Sequence, residues 1–427
     1  MTPLHLAHRD QAQALIDDLL AQADAVWLDL DLAPARSLLA AGASREYSTS
    51  APLTAAAWQS WQPTAATTDL VCGYLAYEAS DTDLGDDDRP GPTLPRALLR
   101  HYPWYLLIEA EAVFWVGDAS ADASALRQCQ ARIGAPTTAV TDFSLTQAFR
   151  DTCTAADYTR RFQRIQDYLH AGDAYQVNLC RLWRGTYRGD PVHAYHLLRR
   201  LSPSAHGGFL RVAGHSLLCR SPERFLRIAG DQVLSSPIKG TLPRLGDDAE
   251  QRARLAACAK NRSENLMIVD LMRHELGRYA RTGSVRVAPL FEVRSTAQVH
   301  HLVSDVHAEL AAGVDPWQVL FGCFPGGSIT GAPKLRARQI IRELEPWQRS
   351  VYCGSMFYCL AGQIEANIAI RTLIADSAGD LWAYAGGGIT AASQPDDEYH
   401  ECEHKIGAFL HALADAFASA PQDARKD

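Results

Sequence analysis

The stretch Ser236-Pro237-Ile238-Lys239-Gly240-Thr241-Leu242-Pro243-Arg244 places a single lysine between an apolar run and a Gly-Thr turn. Val233 and Leu234 precede it, and a polar, helix-forming segment follows. We therefore expect Lys239 to lie at a strand end that faces a cleft. Taken alone, the local sequence favours the simpler alternative of a surface lysine in a Pro/Gly loop. Residues farther along the chain favour the cleft.

Composition excludes several classes of protein. The 427 residues carry a net charge of −8 and no basic run of five residues, which argues against nucleic acid as a partner. No apolar run approaches the roughly 20 residues of a membrane helix, and the polar N-terminus does not resemble a signal peptide. The ten cysteines are scattered without a C-x-x-C pair. We therefore expect a reduced, cytoplasmic protein.

The secondary-structure pattern predicts an α+β fold with two regions, residues 1–145 and 150–420. A capping box at Thr154 and Asp157 begins a helix that ends before Gly172. Short strands are predicted at 175–180, 209–212, 216–219, 225–228, 232–235, 284–287, 351–359, 363–371 and 381–385. Long helices are predicted at 247–279, 333–344 and 395–417. Antiparallel-type strands with helices gathered between them are typical of α+β proteins, and no dinucleotide or P-loop motif occurs.

The last predicted helix carries Glu398, Glu401 and Lys405 within a stripe of roughly 60°. Two carboxylates three residues apart can share a divalent cation, and the lysine can bind an anion that the cation holds. An ordinary salt-bridged surface helix is the simpler interpretation. However, Ile406, Phe409 and Leu410 define a core face that Lys405 borders, so the lysine tip can point inward.

Glu264 is a second acidic candidate, on a predicted helix that is apolar on nearly all sides. A carboxylate buried there must be paired, protonated or bound to metal. Asp270 is the other acidic candidate on the same helix. Its carboxylate is explained equally well by an ion pair with Arg273 or His274. Carboxylate-only ligation from separate helices suits Mg²⁺.

Three further segments predict anion binding. The loop Phe324-Pro325-Gly326-Gly327-Ser328-Ile329-Thr330-Gly331-Ala332-Pro333-Lys334 runs into a helix whose start can bind an anion, and Thr330 and Lys334 favour function over a plain connection. Gly386, Gly387 and Gly388 allow the backbone to approach a ligand closely. Arg371, at the end of a predicted strand, can clamp a carboxylate with two hydrogen bonds.

Taken together, these segments resemble the chorismate-utilising enzymes, a family that includes the anthranilate, aminodeoxychorismate, isochorismate and salicylate synthases. The resemblance extends from about Thr154 to Ala416 and is weaker before that. It rests on ordered matches at 174–179, 221–225, 237–244, 264–272, 300–304, 324–334, 370–372 and 385–405. It implies two large antiparallel sheets stacked as a sandwich, with helices outside and the active site deep between the sheets.

Two positions distinguish the branches of this family. Members of the family that add water to chorismate share a lysine at the position of Gln176 in this chain. With a glutamine at this position, the chain resembles the ammonia-using branch of the family. Within that branch, anthranilate synthases have a small residue where this chain has Lys239. Pro-Ile-Lys-Gly-Thr resembles the branch that aminates chorismate at C4, whereas Glu223 and His301 are shared across the family.

The resemblance also implies roles for the candidate residues. Glu264 and Glu401, with Glu398 beside them, would hold Mg²⁺ against the ring carboxylate of chorismate. Lys405, Arg371, Tyr352 and the backbone of Gly386 to Gly388 would hold the enolpyruvyl carboxylate. Lys239 would be the nucleophile and Glu223 the general acid. Hence Lys239 must be neutral although a free lysine has a pKa of about 10.4, and Glu223 must stay protonated.

One departure from the family pattern is Asn261, where some members have an acidic residue one turn before the position of Glu264. The absence of an acidic residue at this position would weaken Mg²⁺ binding modestly. The chain ends soon after its last predicted helix, so we expect ammonia from a separate glutamine amidotransferase subunit. Two alternatives stay open at this point: an anthranilate synthase large component, and a non-catalytic regulator that binds chorismate or tryptophan.

Overall fold

A computed structural model describes residues 3–30, 36–61, 69–84, 87–137, 141–244, 247–296 and 299–418. The strands within these ranges are β1 Leu4–His8, β2 Val26–Asp29, β3 Ser37–Ala40, β4 Arg45–Thr49, β5 Leu70–Leu75, β6 Ala97–Tyr102, β7 Tyr105–Ile108, β8 Ala112–Val116, β9 Ser144–Asp151, β10 Gln176–Arg188, β11 His206–Val212, β12 His215–Ser221, β13 Arg224–Ala229, β14 Gln232–Ser235, β15 Ile238–Pro243, β16 Arg286–Val287, β17 Glu292–Ser295, β18 Val299–Val303, β19 Val306–Glu309, β20 Gly331–Ala332, β21 Ser355–Leu360, β22 Gln363–Asn367, β23 Thr372–Ala375 and β24 Asp380–Ile389.

The α-helices of the same ranges lie mainly between these strands. They are α1 Gln13–Leu20, α2 Ala55–Trp61, α3 Ala123–Arg132, α4 Ala155–His170, α5 Pro191–Leu201, α6 Asp248–Ala257, α7 Ala259–Gly277, α8 Pro316–Cys323, α9 Lys334–Leu344 and α10 Pro395–Phe417. Short 3₁₀ segments occupy Arg9–Ala12, Tyr77–Asp83 and Gly327–Ile329.

The strands form two large antiparallel sheets and one small one. Over the described residues, the first runs β1-β8-β7-β3-β2-β11-β12-β23-β24-β10-β20, with β9 also pairing with β10. The second runs β16-β19-β14-β13-β22-β21-β5-β6-β4, and the third is β15-β18-β17. The two large sheets contact each other: Asn367 on β22 donates to the carbonyl of His206 on β11 at 2.8 Å. The α+β prediction with two large sheets is confirmed, and the small sheet is an addition.

Both large sheets combine strands from either side of the predicted region boundary. For example, β2 pairs with β11 and β5 pairs with β21, so the two regions fold together. The division of the chain into regions 1–145 and 150–420 therefore stays a prediction made from the sequence. Residues 419 and 420 of the second region lie outside the described ranges.

Local sequence signals account for most of the helices. Thr154 accepts from the backbone N–H of Asp157 and caps α4, as predicted. The predicted helix 395–417 coincides with α10. The predicted helix 247–279 is wrong in one respect, because Cys258 adopts an extended conformation and divides it into α6 and α7.

Two strand predictions near the end of the chain are too long. The predicted strand 351–359 begins only at Ser355, because Ser350 and Cys353 take positive φ angles of 54° and 62° in a turn. The predicted strand 363–371 ends at Asn367, and Arg371 has a φ of 50°. An apolar alternation predicts side-chain faces but not the backbone turn that ends a strand. Within the described residues no helix is long and apolar enough to span a membrane.

Candidate active site

A cavity of about 730 Å³ lies where the sheets, α7 and α10 meet, a size suited to a small organic ligand. It brings together most of the residues that the sequence singled out, from eight separate parts of the chain. The predicted residues that line it are Glu223, Lys239, Glu264, His301, Tyr352, Arg371, Gly386, Gly387, Gly388, Glu398, Glu401 and Lys405.

Lys239 faces this cavity from β15. β15 pairs with β18, and the register shifts between Lys239 and Thr241 at Gly240, which has a φ of +77°. This is a β-bulge, a device that redirects a side chain at the edge of a sheet. The Nζ atom of Lys239 lies 3.4 Å from the carbonyl oxygen of Ser328. The lysine is therefore held at a strand end over a cleft, as expected from the sequence.

The surroundings of Lys239 shift its pKa in the direction of the neutral amine. Burial in the protein lowers its pKa, and the positive charge of Lys405 lowers it further. The carboxylates of Glu264, Glu223 and Glu401 act in the opposite direction without reversing the shift. A neutral amine is the nucleophilic form of lysine.

The pKa of Glu223 is shifted in the opposite direction, upward. Its side chain is 5% exposed, and burial raises its pKa even though Ser328 donates a hydrogen bond to it and Lys239 lies nearby. A carboxyl group with a raised pKa is suited to general-acid catalysis. The two directions of shift, Lys239 down and Glu223 up, agree with the expectation from the sequence.

His301 on β18 lies beside the same bulge. Its Nδ1 atom is 2.9 Å from the hydroxyl of Thr241. Burial, together with the charge of Arg371, lowers the pKa of His301 to about 4. The ring is therefore neutral near pH 7, able to donate or accept a hydrogen bond but not to act as a cation.

The glutamates of α10 meet the glycines of β24. A methyl group added at Gly387 would lie 2.8 Å from Glu398 Oε2 and 3.8 Å from both Glu401 Oε1 and Lys405 Nζ. Lys405 donates to the carbonyl of Gly386 at 2.9 Å and lies 2.6 Å from Glu401. The absence of a side chain at Gly387 thus leaves room for these charged groups.

The α7 helix adds Glu264 and an unpredicted lysine, Lys260. The Lys260 ammonium lies 3.0 Å from Glu398 and 3.9 Å from Glu264. Glu264 is mostly buried, burial raises its pKa, and its Oε1 atom makes no hydrogen bond. Asp270 is exposed and pairs with Arg273 at 2.8 Å, so the structure selects Glu264 as the acidic residue of this helix that faces the cavity.

The three carboxylates provide the all-oxygen donors that Mg²⁺ prefers. The buried Oε1 atom of Glu264 fits such a role, because it makes no hydrogen bond and lies 3.9 Å from its ion-pair partner Lys260. Within the described ranges, no three His, Cys, Asp or Glu side chains are already arranged as a metal cluster. Instead, Lys260 and Lys405 balance the carboxylates.

Arg371 and Tyr352 form another wall of the cavity. Burial lowers the pKa of Arg371, whose positive φ turns the chain directly before β23 of the first sheet. Tyr352 is 3% exposed and stacks on Tyr384, with ring centroids 5.3 Å apart. Both tyrosines line the cavity, so they offer a flat, rigid surface to a ring.

Three residues singled out in the sequence do not reach the cavity surface. Gln176 is fully buried, adjoins Gly388, and neither polar atom of its side chain has a partner. Thr330 is fully buried and donates to the carbonyl of Gly326 at 3.0 Å. Lys334 contacts Glu275 at 3.1 Å and the carbonyl of Cys323 at 2.8 Å, so its ammonium group is paired away from the cavity.

Sequence reasoning missed other cavity residues, among them Lys260, Ser328, Tyr384 and Asn178. Lys260 carried a signal, since it lies four residues before Glu264 on one helix. Ser328 lies inside the glycine loop, whose sequence pattern predicts ligand contacts from the backbone rather than from a side chain. Asn178 also carried a signal, since it lies two residues after Gln176 on the polar face of the same predicted strand. Tyr384 carried none, because it lies in an apolar strand.

Comparison with known proteins identifies the class to which this fold and cavity belong. The model of the chorismate binding enzyme family matches residues 19–411, and the chain belongs to this family. The match spans both predicted regions. The protein is therefore an enzyme of the chorismate-binding type, and the resemblance drawn from the sequence is confirmed.

Individual relatives carry the comparison further. Aminodeoxychorismate synthase component 1 of Klebsiella aerogenes is 43% identical over 328 residues, covering 75% of this chain and 71% of the relative. Anthranilate synthase component 1 of Streptomyces coelicolor is 39% identical over 280 residues, covering 64% and 55%. The solved anthranilate synthase component I from Streptococcus pneumoniae superposes with a TM-score of 0.77 at 24% identity, covering 88% of this chain and 92% of that one, which supports the fold.

Proposed function

We propose that this enzyme aminates chorismate at C4 to form 4-amino-4-deoxychorismate, the precursor of 4-aminobenzoate in folate synthesis. The observation that carries the proposal is Lys239, a lysine with a lowered pKa that a β-bulge directs into the cavity. The relatives with the higher identity and coverage bear the corresponding name.

The first step would join Lys239 to the substrate. The neutral amine attacks the ring carbon next to the carboxyl-bearing carbon, and the two conjugated ring double bonds both shift as the C4–O bond breaks and the hydroxyl leaves. Glu223 gives its proton to that hydroxyl, which departs as water and leaves the Glu223 carboxylate. The lysine nitrogen then carries the positive charge. Burial of both groups supports these protonation states.

The second step would release the lysine. Ammonia attacks C4, both ring double bonds shift back, and the bond to Lys239 breaks so that the lysine leaves as a neutral amine. The new C4 ammonium group loses one proton, directly or through water, and Glu223 regains its acid form. The balance is chorismate and ammonia in, aminodeoxychorismate and water out. The enolpyruvyl group is kept.

The charged groups of the cavity would hold the substrate between these steps. We assign Glu264 and Glu401, with Glu398 beside them, to a Mg²⁺ ion, which when bound supplies positive charge for the ring carboxylate. Lys405, Arg371, Tyr352 and the backbone of residues 386–388 would hold the enolpyruvyl carboxylate. His301, neutral near pH 7, would hydrogen-bond near the reacting centre.

Gln176 and Thr330 would act from behind the cavity wall. Both are fully buried, and Gln176 adjoins Gly388. We assign Gln176 to the choice of ammonia over water, and Thr330 to shaping the glycine loop through its bond to Gly326.

Ammonia would come from a separate glutamine amidotransferase subunit, as the words "component 1" in the relatives' names suggest. The cysteines that the structure describes are all free, which supports a reducing compartment such as the cytoplasm.

Product analysis tests the proposal against anthranilate formation. The purified protein is incubated with chorismate, ammonium and Mg²⁺, and the products are separated by chromatography. We expect a product that retains the enolpyruvyl group, with no pyruvate. Release of pyruvate in step with anthranilate would instead assign the chain to the other ammonia-using branch. Absence of any turnover would favour the regulatory alternative, which the chemistry of the cavity opposes.

A further inference from the structure

Glu78 is a buried carboxylate that lies outside the cavity. It hydrogen-bonds to the backbone behind one wall of the cavity. It lies in the 3₁₀ segment Tyr77–Asp83 after β5 and is 1% exposed. Its two oxygens accept from the backbone N–H groups of Arg349 at 2.7 Å and Ser350 at 3.0 Å. Tyr77 adds a third bond, from its N–H to the carbonyl of Ser350 at 2.7 Å.

The backbone that Glu78 grips is strained and leads directly to the cavity. Ser350 has a φ of +54°, which a residue other than glycine rarely adopts without support. The N–H of Tyr352 donates to the carbonyl of Arg349 at 3.1 Å. Tyr352 lines the cavity and stacks on Tyr384. The position of the Tyr352 ring therefore depends on the Arg349–Ser350 backbone.

The side chain of Arg349 connects the Arg349–Ser350 backbone to a second wall of the cavity through hydrogen bonds. It donates to the carbonyl of Ile329 at 2.9 Å and to the carbonyl and side-chain oxygens of Asn178, both at 3.1 Å. Glu345 balances its charge at 2.6 Å. Ile329 and Asn178 both line the cavity. One buried turn thus connects Glu78 to the glycine loop, to β10 and to Tyr352.

We propose that Glu78 is a positioning residue: its carboxylate fixes the Arg349–Ser350 turn and so sets the walls of the cavity formed by Tyr352, Asn178 and Ile329. The kinetic part of this inference rests on the proposed chorismate amination. It assigns a role in the catalytic site to the N-terminal region, where the sequence singled out no site residue.

The test compares Glu78→Gln with Asp81→Asn. Glutamine keeps the shape of Glu78 but replaces one acceptor by an NH₂ group that faces a backbone N–H. Asp81 is a matched control, because it is a carboxylate 2% exposed on the same 3₁₀ segment. It pairs with Arg338 and Arg342 on α9 instead of the Arg349–Ser350 turn.

Hydrogen exchange followed by mass spectrometry provides a readout that does not require turnover. We expect Glu78→Gln to speed exchange in peptides covering 327–332 and 349–354, and Asp81→Asn to speed exchange in α9 alone. Unchanged exchange in both cavity segments in Glu78→Gln, or equal acceleration in the two variants, would overturn the proposal. If Glu78→Gln does not fold, Glu78→Asp should show the same pattern at smaller amplitude.

Kinetics provide the second readout. In Glu78→Gln we expect kcat/KM for chorismate to fall about 10- to 100-fold, chiefly through KM, because displaced walls lose contacts that bind the substrate and the transition state equally. Asp81→Asn should keep the wild-type KM, and a KM of wild-type size in Glu78→Gln would count against the role. Failure of the wild type to aminate chorismate would refute the proposed function alone, since hydrogen exchange still decides whether Glu78 holds the turn.

Discussion

The ammonium group of Lys260 on α7 lies 3.0 Å from the carboxylate of Glu398 on α10. Glu398 also accepts from the hydroxyl of Ser393 at 2.7 Å and is almost fully buried. The pair therefore joins two helices at the edge of the cavity where we assign Mg²⁺. A lysine in this position supplies the positive charge that the carboxylates need in the absence of metal.

Removing that charge should make the protein depend more on the metal. In Lys260→Met, the buried Glu398 loses its positively charged partner and keeps, among the described residues, only the Ser393 hydroxyl. We expect the metal-free protein to lose about 1 kcal/mol of stability, since Lys260 is half-exposed and screened by solvent. Added Mg²⁺ should then raise the melting temperature more than in the wild type. Arg273→Met on the exposed face of the same helix is the control. Equal Mg²⁺ shifts in all three proteins would contradict this.

A covalent bond to Lys239 should be visible by intact-protein mass. With chorismate and Mg²⁺ but no ammonium, we expect the wild type to gain the mass of chorismate less one water. Lys239→Ala should not. Lys260→Gln, which keeps the nucleophile in the same cavity, should still form the adduct. An adduct of equal yield in Lys239→Ala would exclude the nucleophilic role.

The pH dependence of kcat/KM should follow from the two opposed pKa shifts. Lys239 reacts as the neutral amine, so its activity is gained as pH rises. Glu223 acts as the protonated acid, so its activity is lost as pH rises, and its raised pKa extends the active range upward. We expect Glu223→Gln to lower the rate by about 10²- to 10⁴-fold. The variant should keep the rising limb and lose the falling limb, whereas persistence of both limbs would assign the acid elsewhere.

Loss of one proposed metal ligand should appear in a Mg²⁺ titration. For Glu401→Gln, we expect the half-saturating Mg²⁺ concentration to rise at least about 10-fold, because a neutral amide is a weaker ligand than a carboxylate. The Mg²⁺-induced shift of the melting temperature provides a measure independent of activity. Glu403→Gln changes an exposed residue of the same helix and should behave as the wild type. An unchanged titration in Glu401→Gln would remove that residue from the site.

The bulge at Gly240 should matter for activity more than for stability. Gly240 has a φ of +77°, and a Cβ there would lie 2.5 Å from the amide nitrogen of Asn261. Gly313 has a φ of +81° with open space around it, so Gly313→Ala introduces the backbone strain alone. Each alanine should cost about 1–3 kcal/mol of stability, measured by denaturant unfolding. Only Gly240→Ala should also lose adduct formation at Lys239, and an adduct at wild-type level would show that the bulge does not aim the lysine.

The sequence predicted the local elements and the chemical types of the site well, but not their arrangement in space. The capping box at Thr154 and the periodicity of α10 gave correct helices, since both signals lie within a few residues of the structure that they specify. The pattern of apolar residues did not predict the helix break at Cys258 or the strand end at Asn367. At both positions the backbone changes direction while the apolar pattern continues.

By itself, the sequence determined which side chains the chain contributes: a lysine in a Pro/Gly setting, helical carboxylates at short spacing, and glycines that let a backbone approach a ligand. Only the tertiary structure decided which of them meet. It separated Glu264 from Asp270, turned Lys334 away towards Glu275, and joined Glu78 to Arg349 across 271 positions. The physical reason is that pairing such as that of β5 with β21 sets distances between residues far apart in the chain, which no local pattern records.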